Sequence, residues 1–417
     1  FANPVAKLDL PSGFSDPSMI YADFNNDQNV DICLLSNKSD GVYTKIWYND
    51  GNGNFTEKTV AFTEKGTRGG MDYADVNSDG YIDIVIGGLL PGEQWDTPAE
   101  NGGKTVTLYL NDKQGNFVKH QEFSEYMLDN VTQPIRFCDW NNDGYSDLII
   151  TGWNISHGNI SQTDVYLNDG KGNFTLADID LPGVSEGSIE LADFANSGKN
   201  DILISGNCNG GFNGHTSDRR IAVLCKNTID KVNTSPNVPD GLSAIVNGNS
   251  VELKWNASTD KESSQNSLSY NFYIRDLNTG LFLTSPDADI TNGMRHVSRM
   301  GNAWTNCRWT LHDLPVGEYA WSVQAIDAGY KGSMFAPEQT FTVTDPDGIK
   351  ETTASVDNLL VTVVDKGVNL KLKKPQKIAI SSIDGKCVFV KFLEKGSYDI
   401  SLSSGFYLVN SKKVIVK

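Results

Sequence analysis

The chain has 417 residues and a formal net charge of −17, with 39% hydrophobic and 21% charged residues. This length exceeds what one ordinary core accommodates, so several domains are expected. The acidic balance argues against nucleic acid as a partner, and no apolar run approaches the roughly 20 residues of a membrane-spanning helix. The composition therefore predicts a folded protein of several domains that has no membrane span.

An aspartate-rich motif recurs four times in the first half of the chain. Its copies start at Tyr21, Tyr73, Phe137 and Leu191, and their first aspartates are Asp23, Asp75, Asp139 and Asp193. A second motif, Asn-Asp before a glycine-containing turn, recurs in phase with the first after Trp47, Tyr109 and Tyr166. Asn, Asp and Gly tolerate the positive φ of hairpin turns, and the flanking runs are β-branched like strands. Each repeat is therefore predicted to hold about four strands, the content of one propeller blade.

The first residues of the chain fit the same phase. The segment from Phe1 to Gly13 is similar to the segment that begins at Phe174, so Phe1 is expected on the outer strand of a preceding blade. That strand either closes a small ring with the incomplete fourth repeat or follows whole blades that have been removed upstream.

Three of the four repeats carry oxygen side chains at positions 1, 3, 5 and 9 of a nine-residue loop. Alternating oxygens of this kind fold onto one hard cation, joined by the backbone carbonyl at position 7. Position 6 is Gly80 or Gly144 in two loops and Gln28 in the first. We therefore expect about three Ca²⁺ ions. The expected ligand sets are Asp23, Asn25, Asp27, Asn29 and Asp31; Asp75, Asn77, Asp79, Tyr81 and Asp83; and Asp139, Asn141, Asp143, Tyr145 and Asp147.

The fourth loop departs from this pattern. Asp193 and Asp201 remain, but Ala195 and Ser197 stand at positions 3 and 5, so no metal is expected there. An EF-hand is excluded for the other loops, because position 12 is Leu34, Ile86 or Ile150 where a bidentate glutamate belongs. A single such loop is equally well interpreted as an Asx-rich turn without a cation, whereas three loops in one phase favour calcium.

The repeated loops resemble those of the FG-GAP/VCBS repeat family, over about residues 1–232. The resemblance implies a β-propeller in which calcium staples the first two strands of a blade at one face, while ligands meet the opposite face. The predicted fold is thus all-β: an FG-GAP-type β-propeller of four recognisable repeats, followed by two β-sandwich modules.

The two following modules are predicted at residues 236–345 and 355–417. The first resembles a fibronectin type III sandwich, with Trp255 and Trp321 expected in its core, whereas Trp304 is assigned to either core or surface. The second ends in Gly405-Phe-Tyr-Leu-Val and a lysine-bounded apolar strand. It resembles the type A sorting domain of the Bacteroidetes type IX secretion system. This resemblance implies a role for the secretion machinery and an extracellular or outer-membrane-surface location; a plain sandwich spacer is the alternative.

Six cysteines lack metal-ligand spacing. Cys208 and Cys225 are close in sequence across a predicted hairpin, and either a disulfide or two buried thiols would fit.

Two classes of function remain open on the sequence. We expect a non-catalytic surface protein that binds an extracellular glycan or protein ligand. The alternative is a polysaccharide-processing enzyme such as a propeller-type lyase, or an accessory subunit of a surface glycan-uptake complex. The longer connections between second and third strands vary among the repeats and carry the candidate contacts Trp95, Trp153, His157, Phe212 and His215. Exposed aromatics of this kind stack on sugars or anchor protein partners, although packing between blades would explain them equally well.

Overall fold

The computed structural model describes residues 14–38, 41–60, 62, 65–89, 104–123, 126–127, 134–154, 160–195, 197–209, 219–344, 359–364, 366–382, 385–410 and 412–416. The regular secondary structure of these residues consists of β-strands and one 3-10 turn (Gln265–Ser267), with no α-helix among them. Within that described part, no helix is long and apolar enough to cross a membrane. The all-β prediction is confirmed. The chain divides into two compact units, Phe1–Asp345 and Pro346–Lys417.

The first unit opens with four antiparallel sheets that follow one another along the chain. Their strands, in the described part, are β1 (Phe14–Ala22), β2 (Asp31–Lys38), β3 (Gly41–Asn49), β4 (Phe55–Lys58), β5 (Lys65–Ala74), β6 (Asp83–Leu89), β7 (Lys104–Asn111), β8 (Phe117–Phe123), β9 (Tyr126–Met127), β10 (Ile135–Cys138), β11 (Asp147–Asn154), β12 (Ile160–Asn168), β13 (Phe174–Leu176), β14 (Ser185–Ala192), β15 (Asp201–Cys208) and β16 (Arg219–Cys225). The sheet orders are β1-β2-β3-β4, β5-β6-β7-β8, β10-β11-β12-β13 with β9 beside β11, and β14-β15-β16. Each predicted repeat is therefore one meander.

The second strand of a repeat carries a run of buried apolar residues. β11, for example, reads Asp-Leu-Ile-Ile-Thr-Gly-Trp-Asn and is buried along nearly its whole length. Continuous apolar runs of this kind belong to strands that are covered on both faces. The first strands lie side by side in chain order, β1 beside β5, β5 beside β10 and β10 beside β14. Closure of these sheets into a ring stays a prediction.

A β-sandwich completes the first unit. Its strands are β17 (Ser243–Asn247), β18 (Ser250–Lys254), β19 (Ser269–Asp276), β20 (Phe282–Thr284), β21 (Arg308–Leu311), β22 (Gly317–Ile326) and β23 (Gln339–Val343), in sheets β17-β18-β21 and β20-β19-β22-β23. Both sheets contribute to one core, in which Trp255 and Trp321 are buried as predicted. Trp304 is also buried, and the centre of its ring lies 5.7 Å from that of Trp309. Trp304 is therefore a core residue.

The second unit repeats this strand order. Its strands are β24 (Leu359–Val364), β25 (Gly367–Leu372), β26 (Gln376–Ser382), β27 (Cys387–Leu393), β28 (Gly396–Ser401), β29 (Gly405–Val409) and β30 (Lys412–Val416), in sheets β24-β25-β28 and β27-β26-β29-β30. Val368 and Leu370 from one sheet share a core with Ile380 and Val409 from the other. The first, second and fifth strands therefore pair in one sheet of both sandwiches.

Three tyrosines lock strand ends in the two sandwiches in the same way. The hydroxyl donates a hydrogen bond to the carbonyl four residues earlier, and a glycine stands between them, two residues before the tyrosine. The pairs are Tyr319 with Pro315 (2.7 Å), Tyr398 with Glu394 (3.1 Å) and Tyr407 with Ser403 (3.0 Å). An added Cβ at Gly317 would lie 3.3 Å from the Tyr319 hydroxyl. The Gly-x-Tyr motif thus encodes a tyrosine corner.

The structure also distinguishes between the two interpretations of Cys208 and Cys225. Cys208 pairs with Arg219 and Cys225 with Ile202, at opposite ends of the β15–β16 hairpin. Both thiols are free, as are the other four cysteines. The disulfide interpretation is wrong, because the hairpin register separates the two sulfur atoms along the strands.

The first sandwich docks on one end of the repeat sheets, at the connections between the first and second strands. These connections are acidic loop 1 (residues 23–31), loop 2 (75–83), loop 3 (139–147) and loop 4 (193–201). Hydrogen bonds reach all four loops: Asn306 Nδ2 to Asp23 Oδ2 (2.9 Å), Thr305 Oγ1 to the Gly80 carbonyl (2.7 Å), the Asp139 amide to the Ala328 carbonyl (3.0 Å) and Asn200 Nδ2 to the Gly329 carbonyl (2.9 Å). Residues 1–232 and 236–345 thus share one compact unit.

Gly80 and Gly144 have similar backbone conformations but differ in how closely the sandwich approaches them. Substitutions at these two positions therefore distinguish the effect of docking from that of backbone strain. Gly80 has φ +86° and Gly144 has φ +98°, so alanine costs about 1–2 kcal/mol at either position. A Cβ at Gly144 would collide with the Glu262 carbonyl, whereas at Gly80 the nearest atom, the Asn266 carbonyl oxygen, lies 3.8 Å away. We expect Gly144→Ala to lower the free energy of unfolding by about 1–3 kcal/mol more than Gly80→Ala. Urea denaturation measures both, and equal losses would contradict the docked arrangement.

Candidate metal centre

The position-1 aspartate shapes each acidic loop. It accepts hydrogen bonds from the backbone amides of positions 5 and 6. The pairs are Asp23 with Asp27 (3.0 Å) and Gln28 (2.7 Å), Asp75 with Asp79 (3.0 Å) and Gly80 (2.8 Å), Asp139 with Asp143 (2.9 Å) and Gly144 (2.8 Å), and Asp193 with Ser197 (2.7 Å) and Gly198 (2.6 Å). Gln28 adopts φ +74°, the same as Gly198. The first loop therefore keeps the shared turn without glycine, at a cost of about 1 kcal/mol.

The position-9 aspartate fastens the loop to the third strand of its sheet. One carboxylate oxygen accepts from the amide of loop position 2, and the other accepts from the asparagine at the end of the third strand. The contacts are Asp31 with Phe24 (2.9 Å) and Asn49 (2.9 Å), Asp83 with Val76 (3.0 Å) and Asn111 (2.8 Å), and Asp147 with Trp140 (2.9 Å) and Asn168 (2.8 Å). In loop 4, Asp201 keeps the bond from Asn227 (2.8 Å).

The same asparagine joins neighbouring repeats. Its Nδ2 donates to the carbonyl of loop position 2 in the preceding repeat: Asn111 to Phe24 (2.8 Å), Asn168 to Val76 (2.8 Å) and Asn227 to Trp140 (2.9 Å). Sequence reasoning treated Asn111 and Asn168 as turn residues and missed Asn227, which is followed by Thr228 where the other asparagines are followed by an aspartate. The regular alternation of the two motifs along the chain is the feature of the sequence that could have indicated this link.

Position 3, 5 and 7 residues complete the loops with local hydrogen bonds. Asn77 Oδ1 accepts from the Asp79 amide (3.2 Å), and Asp79 in turn accepts from the Tyr81 amide (3.0 Å). Loops 1 and 3 repeat this chain of contacts, through Asn25, Asp27 and Asn29 and through Asn141, Asp143 and Tyr145. The predicted ligands of each set therefore gather in one loop, oriented by backbone amides.

Carboxylates at positions 1 and 9 are buried beside one another, and this raises their pKa values. Burial is the largest cause, and repulsion from the other carboxylates of the loop adds to it. The pKa rises to about 6 for Asp23, about 8 for Asp31, about 7 for Asp75, about 7 for Asp139 and about 8 for Asp147, and well above its ordinary value for Asp83. Buried charges of one sign are stable only when paired or bound to a cation.

The donor chemistry fits a hard cation, although the carboxylates do not converge on one point. An ionised carboxylate that accepts one or two amide hydrogen bonds keeps free lone pairs, and carboxylate and carbonyl oxygens are the ligands that calcium prefers. Among the described residues, no group of three or more His, Cys, Asp or Glu side chains is placed to hold a metal ion. Calcium occupancy stays a prediction.

A lysine from the hairpin turn of the same repeat lies beside loop 2. Lys113 Nζ lies 3.3 Å from Asp79 Oδ2 and 5.8 Å from the centre of the Tyr81 ring. Lys113 has φ +66°, in the hairpin turn where the other repeats have Gly51 and Gly170. Its ammonium group thus compensates part of the negative charge of loop 2.

The predicted ligand contacts are only partly placed. Trp95, His157, Phe212 and His215 lie outside the described residues. Trp153 lies on β11, where it is half-buried and pairs with Ser161 on β12 and Met127 on β9. Six residues of strand separate it from Asp147, or about 20 Å at 3.3 Å per residue. Trp153 therefore lies at the end of its sheet away from the acidic loops and the docked sandwich.

A family model described as FG-GAP-like repeat matches residues 23–86 and 139–204. The chain carries FG-GAP-like repeats. The two matched segments contain acidic loops 1 and 2 and acidic loops 3 and 4. Sequence comparison with the curated proteins gives no match. Among solved structures, the crystal structure of chicken CNTN1 FN1–FN3 domains is similar at 10% identity over 68% of this chain and 98% of that chain, with a TM-score of 0.21.

The link between FG-GAP-like repeats is testable with two equivalent asparagines. Asn168 Nδ2 donates to Val76 of the preceding repeat and to Ser146 (3.0 Å). Within the described residues, Asn49 Nδ2 donates to Val30 of its own loop (3.2 Å). Asn168→Asp leaves two buried carbonyls facing a carboxylate. We expect it to lower the free energy of unfolding by about 2–5 kcal/mol.

Asn49→Asp is the matched control for this link, since it removes a single half-buried contact at the same turn position. We expect less than half the loss seen for Asn168→Asp. Urea denaturation followed by tryptophan fluorescence measures both variants. If the control is equally destabilised, the asparagine acts within its own repeat and not between repeats.

Proposed function

We propose that this protein is a secreted or cell-surface β-propeller that is stabilised by calcium and binds an extracellular glycan or protein ligand without transforming it. The observation that carries the proposal is the difference between the two ends of the repeat sheets. The sandwich and the acidic loops occupy one end, while Trp153 and the strand ends that precede and follow the variable connections lie at the other. A repeated scaffold with one uniform and one variable rim is suited to ligand binding.

The propeller arrangement rests on the order of the first strands. β1, β5, β10 and β14 lie side by side in chain order. Asn111, Asn168 and Asn227 each bind the acidic loop of the preceding repeat. Sheets that are joined to their neighbours at the same position in each repeat are arranged around a common axis. These contacts support a ring in which the acidic loops share one rim.

Calcium binding rests on the burial of like charges in loops 1 to 3. The residues that would hold the ions are the position 1, 3, 5 and 9 side chains and the position-7 carbonyls named above. A bound ion would supply the positive charge that Asp83 and its equivalents lack. An ion that binds only the folded loop stabilises it by about 2.7 kcal/mol at a hundredfold excess over Kd.

The calcium proposal predicts different behaviour for two position-9 aspartates. Asp83→Asn should lower the calcium-dependent part of the thermal stability by about one third, because one of three equal sites is weakened. Asp201→Asn is the control, since loop 4 has Ala195 and Ser197 at positions 3 and 5. The measured quantity is the difference in Tm between millimolar calcium and EDTA. No calcium-dependent difference in the parent protein, or equal effects of both substitutions, would refute the proposal.

Export through the type IX secretion machinery is proposed for residues 355–417, with the mature protein outside the cell or on the outer-membrane surface. The support is that this region belongs to a separate compact unit, which contains the lysine-bounded apolar strand Lys412–Val416. Gly405 and Tyr407 do not carry this proposal alone, because Gly317 and Tyr319 form the same tyrosine corner in the first sandwich.

Ligand binding at the variable rim is tested with a glycan array and a protein screen in millimolar calcium. Trp153→Ala, alone and with Trp95→Ala, should weaken binding of the ligand so identified at least tenfold, as expected for an aromatic anchor. Phe392→Ala is the control, because Phe392 is 62% exposed in the other unit. Mass spectrometry of the ligand after incubation should show no product. Cleavage of a polysaccharide would overturn the non-catalytic proposal in favour of a lyase.

A further inference from the structure

One turn of the first sandwich, which we call the docking turn (residues 303–306), contacts two acidic loops at once. Asn306 Nδ2 donates to Asp23 Oδ2 of loop 1 (2.9 Å). The neighbouring Thr305 Oγ1 donates to the Gly80 carbonyl of loop 2 (2.7 Å). The contact of Asn306 differs in kind from that of Thr305, because it reaches the side-chain carboxylate at position 1 of a loop and not a backbone carbonyl.

The docking turn is itself fastened to the sandwich. The Ala303 amide donates to the Tyr270 carbonyl (2.9 Å), and the Tyr270 amide donates to the Trp304 carbonyl (2.8 Å). The Asn306 amide closes the turn on the Ala303 carbonyl (3.0 Å), and its side-chain Nδ2 also approaches that carbonyl (3.3 Å). The side-chain amide that faces Asp23 is therefore held in place by the sandwich before the two meet.

Asp23 is bound differently from its equivalents in loops 2 and 3. The hydrogen bonds that shape the loops at Asp75 and Asp139 come from backbone amides of their own loops. Asp23 receives the same amide bonds and, in addition, the side-chain donor of Asn306 on Oδ2. Its Oδ1 accepts one amide bond, from Asp27 (3.0 Å), and so keeps a free lone pair. A donor behind a metal-ligating group orients that group and tunes the site.

The departure of loop 1 from the repeated motif lies at the same place. Position 6 is glycine in loops 2 and 3 but Gln28 in loop 1, where it adopts φ +74°. Gln28 Oε1 accepts a hydrogen bond from Thr310 Oγ1 of the sandwich (3.1 Å). A glycine at this position would have no side chain to make that contact. Loop 1 thus gives up the favoured turn residue at the point where the sandwich holds it.

We propose that loop 1 is a calcium site built by two domains, in which Asn306 of the sandwich is the positioning residue for Asp23. This inference rests on the calcium binding proposed above and adds a residue outside the repeats. Calcium at loop 1 and docking of the sandwich are then coupled. Because such coupling is reciprocal, calcium tightens docking to the same extent that docking tightens calcium binding.

Isothermal titration calorimetry of the calcium-free full chain with calcium chloride tests the role of Asn306. Asn306→Ala should weaken one of about three calcium sites at least tenfold and leave the others unchanged, since loss of an outer-shell partner lowers metal affinity about 10–100-fold. Thr310→Val is the matched control. It removes a contact between the sandwich and loop 1 that involves no carboxylate, so it should change each affinity less than about threefold.

Hydrogen exchange of the parent protein tests the coupling without a substitution, and so remains decisive if Asn306→Ala fails to fold. Calcium should slow the exchange of amides in the docking turn at least tenfold, because local opening there would expose loop 1. The turn at residues 277–280 is the internal control. It follows β19 at the end away from Tyr270, about 20 Å along the strand, and its exchange should not respond to calcium.

The outcomes separate this inference from the calcium proposal on which it rests. A parent protein that binds no calcium overturns both. If the parent binds calcium but Asn306→Ala binds it equally well, or loses no more affinity than Thr310→Val, the shared site alone is overturned. Exchange in the docking turn that is the same with calcium and with EDTA also overturns the shared site alone.

Discussion

The buried carboxylate at position 9 of each acidic loop is the contact on which the repeat array depends. Asp83 accepts amide hydrogen bonds from Val76 and Asn111, and thereby holds the loop, the second strand and the third strand together. The asparagine whose amide is fixed in this way turns its side chain to the preceding repeat. Order within one repeat is therefore coupled to order between repeats, and the sandwich then docks on loops that are already shaped.

Features that depend on spacing along the chain could be predicted from the sequence. The four acidic loops, the hairpin turns and the burial of Trp255 and Trp321 follow from local patterns of aspartate, glycine and apolar residues. Even the departure at Gln28 was visible, although only the structure shows that it adopts a positive φ. These features are encoded within a dozen residues, so a single sequence reveals them.

Features that depend on contacts between residues far apart in the sequence could not be predicted from it. The hydrogen bond from Thr305 to Gly80 joins residues 225 positions apart, and no local sequence pattern predicts it. Trp304 was ambiguous because it lies in a turn and is buried through a contact with Trp309 on β21. Arg295 lies in a stretch without strand periodicity, and only the structure shows that its Nε and Nη1 atoms are buried.

The side chain at loop position 2 differs between the fourth repeat and the three before it. Phe24, Val76 and Trp140 are buried, and the carbonyl of each accepts an asparagine of the following repeat, whereas the corresponding Phe194 is 51% exposed. The side chain at loop position 2 is thus buried where a following repeat covers its loop and exposed in the last repeat that the structure describes. Each sheet is therefore completed by the sheet that follows it along the chain, and folding of one repeat makes the contact surface of its predecessor.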